Sequence, residues 1–208
     1  MARLLIATRN PGKQREISAL LRDVPCEVVF PDDVGIWELE EESRLEEAAT
    51  FEGNAVRKAV YFAKRSALPV AAEDSGIEVF SLGGEPGVRS RRFAMFEGPP
   101  DEQDAANNRE LLRRLAGLPP QKRRARYRCV VGYVERPDSV PQTFEGQCMG
   151  AILTEPKGEG GFGYDPLFLS DDLGVSFGEA DPRDKERVSH RGRAFRSFAE
   201  WLRVNAPP

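Results

Sequence analysis

The run Arg3-Leu-Leu-Ile-Ala7 stops abruptly at Thr8-Arg-Asn-Pro-Gly-Lys13, and no other feature of the chain constrains its fold as much. An apolar run this short reads as a buried strand, and Asn-Pro-Gly is turn chemistry. A helix is expected next. Ile17, Leu20 and Leu21 share one face at helical spacing, while Lys13, Arg15, Glu16 and Arg22 are free to face elsewhere. Strand, loop and helix in that order open an α/β chain.

Further along, Glu27-Val-Val-Phe30 reads as a second strand, and the acidic stretch from Glu38 to Glu47 as loop or exposed helix. From Thr50 to Leu68 the apolar residues Ala55, Val56, Ala59, Val60, Phe62 and Ala63 make a broad helical face, which Pro69 closes. Val70-Ala-Ala72 is expected as a brief strand ending in Glu73-Asp-Ser-Gly76, with extended structure resuming over Ile77-Glu-Val-Phe80. Asp101 is the expected N-cap of a helix carrying Leu111, Leu112 and Leu115. Two β-rich stretches, 125–134 and 143–153, suit a long hairpin, and a last helix from about His190 buries Phe195, Phe198 and Leu202. Early alternation of strand and helix followed by a hairpin favours an α/β fold on a mixed sheet over a purely parallel one.

The chain has 208 residues, 40% of them hydrophobic and 31% charged, enough for one domain or two small lobes. No segment approaches the roughly 20 apolar residues needed to span a bilayer, so no membrane partner is expected and the cytoplasm is the default compartment. Cys26, Cys129 and Cys148 are the three cysteines, and they lie far apart without CxxC spacing. That spacing argues against a disulfide framework and a thiolate metal site. A net charge of −4 argues against a broad basic face for long nucleic acid, so an anionic ligand has to meet a local cluster of cations.

Thr8 to Lys13 lies between strand and helix, where backbone N–H groups and the helix dipole can hold a phosphate and Lys13 adds a full charge. Walker spacing is absent, and the alternative is an ordinary turn with a solvated lysine. Glu73 and Asp74 are neighbours whose side chains point opposite ways on extended backbone, so one of them, taken as Asp74, faces a shared pocket. There it can bind magnesium, activate a water, or both, or else it makes an Asx-type turn with Ser75 and Gly76. In Gly160-Gly-Phe-Gly-Tyr-Asp-Pro166, Phe162 can stack on a purine for about 1–3 kcal/mol, leaving Asp165 or nearby backbone to read the base. Otherwise Phe162 is a core residue of a tight hairpin. His190 is the only histidine, which excludes a histidine-rich metal site. Lys185 either reaches the same pocket as His190 and Arg191 or is solvated in the charged run 183–187.

Together these segments resemble the inosine triphosphatase family, the pyrophosphatases that clear deaminated purine nucleoside triphosphates from the nucleotide pool. The resemblance covers nearly the whole chain and rests on six motifs in family order. They are Leu5-Ile-Ala-Thr-Arg-Asn-Pro-Gly-Lys13, Thr50-Phe-Glu-Gly-Asn-Ala55 with Lys58, Glu73-Asp-Ser-Gly76, Leu82-Gly-Gly-Glu-Pro-Gly87, Gly161-Phe-Gly-Tyr-Asp-Pro166 and Ser189-His-Arg-Gly192. It implies magnesium-dependent hydrolysis of 6-oxo purine nucleoside triphosphates to monophosphate and pyrophosphate. The implied fold is an elongated mixed sheet with flanking helices, forming two lobes of one domain around a central cleft, in a homodimer.

Residue by residue, the resemblance implies that Thr8, Arg9, Asn10, Pro11, Gly12 and Lys13 hold the triphosphate, with Lys58 assisting. Asp74 is implied as proton acceptor and magnesium ligand, Glu46 as the second metal acid, and Ser75 as a substrate contact. Phe162, Gly163, Tyr164, Asp165, Lys185, His190 and Arg191 are the implied nucleoside pocket. The stretch before Thr50 is longer than the family's and lacks its Glu-Glu-Thr-Gly run; Glu46 is taken by counting back four residues, with Glu47 as the alternative. Gly53 and Arg9 also depart from the usual residues without removing a catalytic group. Two other functions remain open: a pyrophosphatase for a different altered nucleotide, and a nucleotide-binding module without turnover.

Overall fold

Both faces of the first strand are buried, which is why its sequence is an unbroken apolar run. Leu4 and Ile6 pack into one cluster, and Leu5 with Ala7 into another. The computed structural model describes residues 2–99 and 102–205, so the expected cap Asp101 lies outside the described residues. Along the chain come β1 (Arg3–Ile6), α1 (Pro11–Leu20), β2 (Glu27–Val29), α2 (Phe51–Ser66), β3 (Val70–Val79) and α3 (Gln103–Arg114). They are followed by β4 (Arg124–Val134), β5 (Gln142–Ile152), β6 (Phe168–Ser170), α4 (Pro182–Val188) and α5 (His190–Asn205).

The strands form one six-stranded sheet in the order β2-β1-β3-β4-β5-β6. It is mixed, as the sequence pattern indicates: β1 is parallel to β2 and β3, whereas β6 is antiparallel to β5. The parallel pairs need crossovers, and α1 and α2 supply them. The chain divides into two units. The first comprises the chain up to Asp74, Cys129–Gly146 and the chain from Arg191; the second comprises Ser75–Arg128 and Gln147–His190. In the first unit, Ile17 and Leu21 join Ala194, Phe195, Phe198 and Leu202 of α5 over one side of the strands, and Ala59, Phe62 and Ala63 of α2 join the cluster on the other. In the second, Leu111 of α3 and Leu115 just beyond it pack with Ile77, Val79, Tyr127, Phe168 and Phe177.

Three local expectations change, and that for the acidic stretch holds. β3 is one continuous strand of 10 residues, so Glu73-Asp-Ser-Gly76 lies inside it and the Asx-turn alternative for Asp74 falls away. α1 begins at Pro11, two residues before Lys13, because Pro11 is pre-set for the first helical position and Asn10 caps the turn by accepting from Lys13 N–H at 3.0 Å. The charged run 183–187 lies wholly within helix α4, with Lys185 buried in it. The acidic stretch holds a short 3₁₀ turn, Glu40–Arg44, pinned by Glu42 to Arg9 and Arg65. No helix among the described residues is long and apolar enough to cross a membrane.

Candidate active site

β3 carries Glu73 and Asp74 through the middle of the sheet, and strand alternation gives them different partners. Asp74 turns to α2. Asn54 donates to its Oδ2 at 2.9 Å, and Lys58 Nζ lies 3.4 Å from its Oδ1. The same ammonium donates to Glu46 Oε1 at 2.8 Å and to the Glu73 carbonyl at 2.6 Å. Asn54 is held in turn, since its Oδ1 accepts from Ala48 N–H at 2.8 Å. Asn54 and Lys58 are one helical turn apart, so a single face of α2 presents both. Thr50 fixes where that helix starts by capping Gly53 N–H at 3.1 Å.

Glu73 turns instead to α1 and α5. It is 2.6 Å from Lys13 and 3.4 Å from Arg191, whose guanidinium also pairs with Glu16, and Cys129 Sγ is 3.4 Å from its other oxygen. The two neighbouring carboxyls are pushed in opposite directions. Burial raises Asp74 above the usual aspartate range, Lys58 opposes this and nearby Glu46 adds to it. Burial acts on Glu73 too, but Lys13, Arg191 and Lys58 outweigh it and hold that carboxyl well below the glutamate range. Lys58 is itself buried, which disfavours its charge, yet Asp74, Glu46 and Glu73 hold it in the ammonium form.

The loop expected to hold phosphate sits at a helix start. Thr8 to Lys13 does lead from strand to helix end, but Arg9 is committed elsewhere: it pairs with Asp32 at 2.8 Å and Glu42 at 3.0 Å and donates to the Ile36 carbonyl at 2.9 Å. Its side chain serves the acidic stretch. Of the N–H groups at the helix start, those of Lys13 and Gln14 are bonded to Asn10 and Pro11 has none, which leaves Gly12 N–H as the donor of that turn.

In the second unit, Asp165 accepts from Phe162 N–H at 2.8 Å and from Lys185 Nζ at 2.7 Å. Lys185, 7% exposed, is therefore no solvated lysine, and its ammonium stands 5.2 Å from the centre of the half-buried Phe162 ring. The turn needs glycine at 161 and 163, with φ of +75° and +62°; a Cβ at Gly161 would also come within 2.2 Å of Asp165 Oδ2. His190 stacks on Tyr127 at 4.4 Å, and Tyr127 O–H is 3.5 Å from Asp165. Tyr164 is a core residue whose hydroxyl donates to the Ser90 carbonyl at 2.7 Å. Ser75, next to Asp74 on β3, is half-buried. Thus Phe162, Asp165 and Lys185 come together, and Tyr127 links His190 to Asp165. Arg191, in the first unit, pairs with Glu16 and Glu73.

Glu16, Asn54 and Glu73 are site residues to which sequence reasoning gave no role. Only Asn54 carried a signal, four residues before Lys58 on the same helical face. Among the described residues no three or more His, Cys, Asp or Glu side chains gather as a metal cluster. Glu46 and Asp74 nevertheless suit a hard divalent ion. Both are oxygen donors beside one another, and burial strains the ionised form of Asp74 in a way that a cation relieves. Magnesium takes one or two carboxylates and completes its shell with water and substrate phosphates, so two acids suffice.

Residues 4–201 match the Ham1 family. A dITP/XTP pyrophosphatase of Syntrophobacter fumaroxidans is 47% identical over 96% of this chain and 84% of its own. One from Thermus thermophilus is 40% identical over 99% and 94%. A Ham1 protein structure from Coxiella burnetii superposes with a TM-score of 0.84 at 32% identity, covering 97% of this chain and 98% of its own. With its sequence matched from the first strand to the last helix, and its fold with it, the chain belongs to the Ham1 family.

Proposed function

We propose that this protein is a metal-dependent nucleoside triphosphate pyrophosphatase that cleaves inosine and xanthosine triphosphates, ribo or deoxy, to monophosphate and pyrophosphate. The observation that carries this reading is Asp74, a buried carboxylate in mid-sheet with a raised pKa, oriented by Asn54 and flanked by Lys58 and Glu46. A poised base of that kind suits proton abstraction from water. Water attacks the α-phosphorus, the bond from that phosphorus to the bridging oxygen breaks, and Asp74 takes the water's proton. Asn54 leaves the carboxylate little freedom to rotate. Magnesium, held by Glu46 and Asp74 when bound, supplies charge neutralisation at the phosphates. Lys13 and Lys58 offset charge on the departing pyrophosphate, together with Gly12 N–H at the start of α1, in the loop Thr8 to Lys13. Ser75 contacts the substrate beside Asp74.

The second unit reads the base in this proposal. A 6-oxo purine presents an acceptor at O6 and a donor at N1, and adenine presents the reverse. Lys185 brings an ammonium, a donor group, beside Asp165, Phe162 offers a stacking face, and His190 lines the same cluster. Each unpaired buried group costs about 1–3 kcal/mol, so adenine is mismatched twice. We expect kcat/KM for inosine and xanthosine triphosphates to exceed that for adenosine triphosphate at least about a hundredfold, or about 2.7 kcal/mol. Pyrophosphate release from the inosine, xanthosine, guanosine and adenosine compounds, with and without magnesium, measures it. Comparable values for inosine and adenosine would sink the proposed specificity, and binding without release would sink the enzyme.

Lys13→Ala is expected to raise KM for the triphosphate about tenfold with a smaller change in kcat, because its cation serves substrate and transition state alike. KM and kcat both within about twofold of the parent would make its contact with Glu73 its whole role. Both units serve one activity in this reading, a single cytoplasmic pyrophosphatase domain acting as a homodimer, and sedimentation velocity tests the assembly.

A further inference from the structure

Gly163 is fixed from a helix that takes no part in the proposed chemistry. Its N–H donates to Asp104 Oδ2 at 2.8 Å, and its carbonyl accepts from Asn108 Nδ2 at 2.9 Å. Asp104 and Asn108 are i and i+4 on α3, one turn apart on one face, so the helix grips both polar groups of a single glycine. α3 is itself anchored. Leu111 is fully buried, and Asn107 donates to the Arg91 carbonyl at 3.0 Å and accepts from Ala94 N–H at 2.9 Å.

The grip matters because of what adjoins it. Gly163 holds a left-handed φ of +62° with open space where a Cβ would be, so close packing around the residue does not impose that conformation. The preceding residue is Phe162, whose N–H bonds the same Asp165 oxygen that receives Lys185. A shift of the Gly163 backbone therefore moves the Phe162 ring relative to the Lys185 ammonium, now 5.2 Å from its centre.

We propose that Asp104 and Asn108 are positioning residues for base selectivity, holding Gly163 so that Phe162 and Lys185 present one fixed geometry to the purine. This rests on the base-reading role given above to that loop. It also removes Gly163 N–H from the donors open to the base, since Asp104 already accepts from it.

The test compares Asp104→Ala and Asn108→Ala with the parent, and uses Asp104→Asn, which keeps an acceptor, as the rescue. In the free protein, amide exchange of peptides spanning 160–167 is expected to quicken at least about tenfold in the alanine variants. KM for inosine triphosphate should rise about tenfold with kcat within about threefold, while kcat/KM for adenosine triphosphate stays within about twofold, so the preference shrinks about tenfold. Asp104→Asn should restore both readouts. Unchanged exchange overturns the anchoring, and an equal loss on both nucleotides overturns the selectivity role. A parent that cleaves both nucleotides equally removes the base-reading role and the selectivity half of this proposal with it, while exchange still decides the anchoring.

Discussion

Asp74→Asn is expected to lower kcat by at least about a thousandfold while leaving the protein folded. Loss of a general base typically costs about 10²–10⁴-fold, and weaker metal binding adds to it. Folding survives because burial already disfavours the charged form of Asp74, so a neutral side chain of the same size removes a cost. Glu73→Gln is the matched comparison, with the opposite sign. Its carboxyl is held well below the ordinary range by Lys13, Arg191 and Lys58, so neutralising it leaves Lys13 and Arg191 short of an anion. The Glu73 variant should lose stability yet keep far more turnover than the Asp74 variant. Saturating kcat with metal in excess, beside urea midpoints, separates the two. Near-normal turnover in Asp74→Asn removes the proposed mechanism, and equal losses of kcat would mean that the two carboxyls share one role.

Elements that carry their own periodicity were legible in the sequence. β1 shows as an unbroken apolar run, and α2 as an apolar face between the cap Thr50 and Pro69. The continuity of β3 was not legible, because Asp-Ser-Gly is turn chemistry by composition. Gly76 is there for another reason: a Cβ would come within 2.4 Å of the Gly87 carbonyl oxygen and the Ser90 hydroxyl, so close approach keeps it glycine inside a strand. α4 was hidden because the run 183–187 within it reads as solvated charge, and Lys185 is drawn inside by partners distant in sequence such as Asp165, 20 residues away. The candidate site was legible as a set of motifs and not as a set of partners. Sequence adjacency placed Arg191 with His190, whereas its ionic partners are 118 and 175 positions away. The acids that Arg9 meets were hidden similarly, since Asp32 is 23 positions away and Glu42 lies in a stretch whose charge predicts no fixed geometry.

Arg191→Met should destabilise the protein by about 3–5 kcal/mol at neutral pH, because removing one member of a buried ionic cluster leaves the others uncompensated. Arg191 is 3% exposed and spans Glu16 and Glu73, and its own charge is held firmly by those anions against the cost of burial. Methionine fills similar volume, so the loss measures the charge and its hydrogen bonds more than a cavity. Arg191→Lys should recover only part of it, since a single ammonium lacks the fork that reaches two carboxylates at once. The pH dependence has a definite sign. Glu73 has a depressed folded pKa, so its contribution is complete above the unfolded glutamate value and is lost as pH falls through the lower folded one. The gap between parent and Arg191→Met should therefore narrow in acid. Urea unfolding of the metal-free proteins at neutral and acid pH measures both quantities. The alternative, in which Arg191 contacts the nucleoside, predicts a raised KM with little change in the urea midpoint. A difference below about 1 kcal/mol at neutral pH would place the arginine there and sink the buried network as its main role.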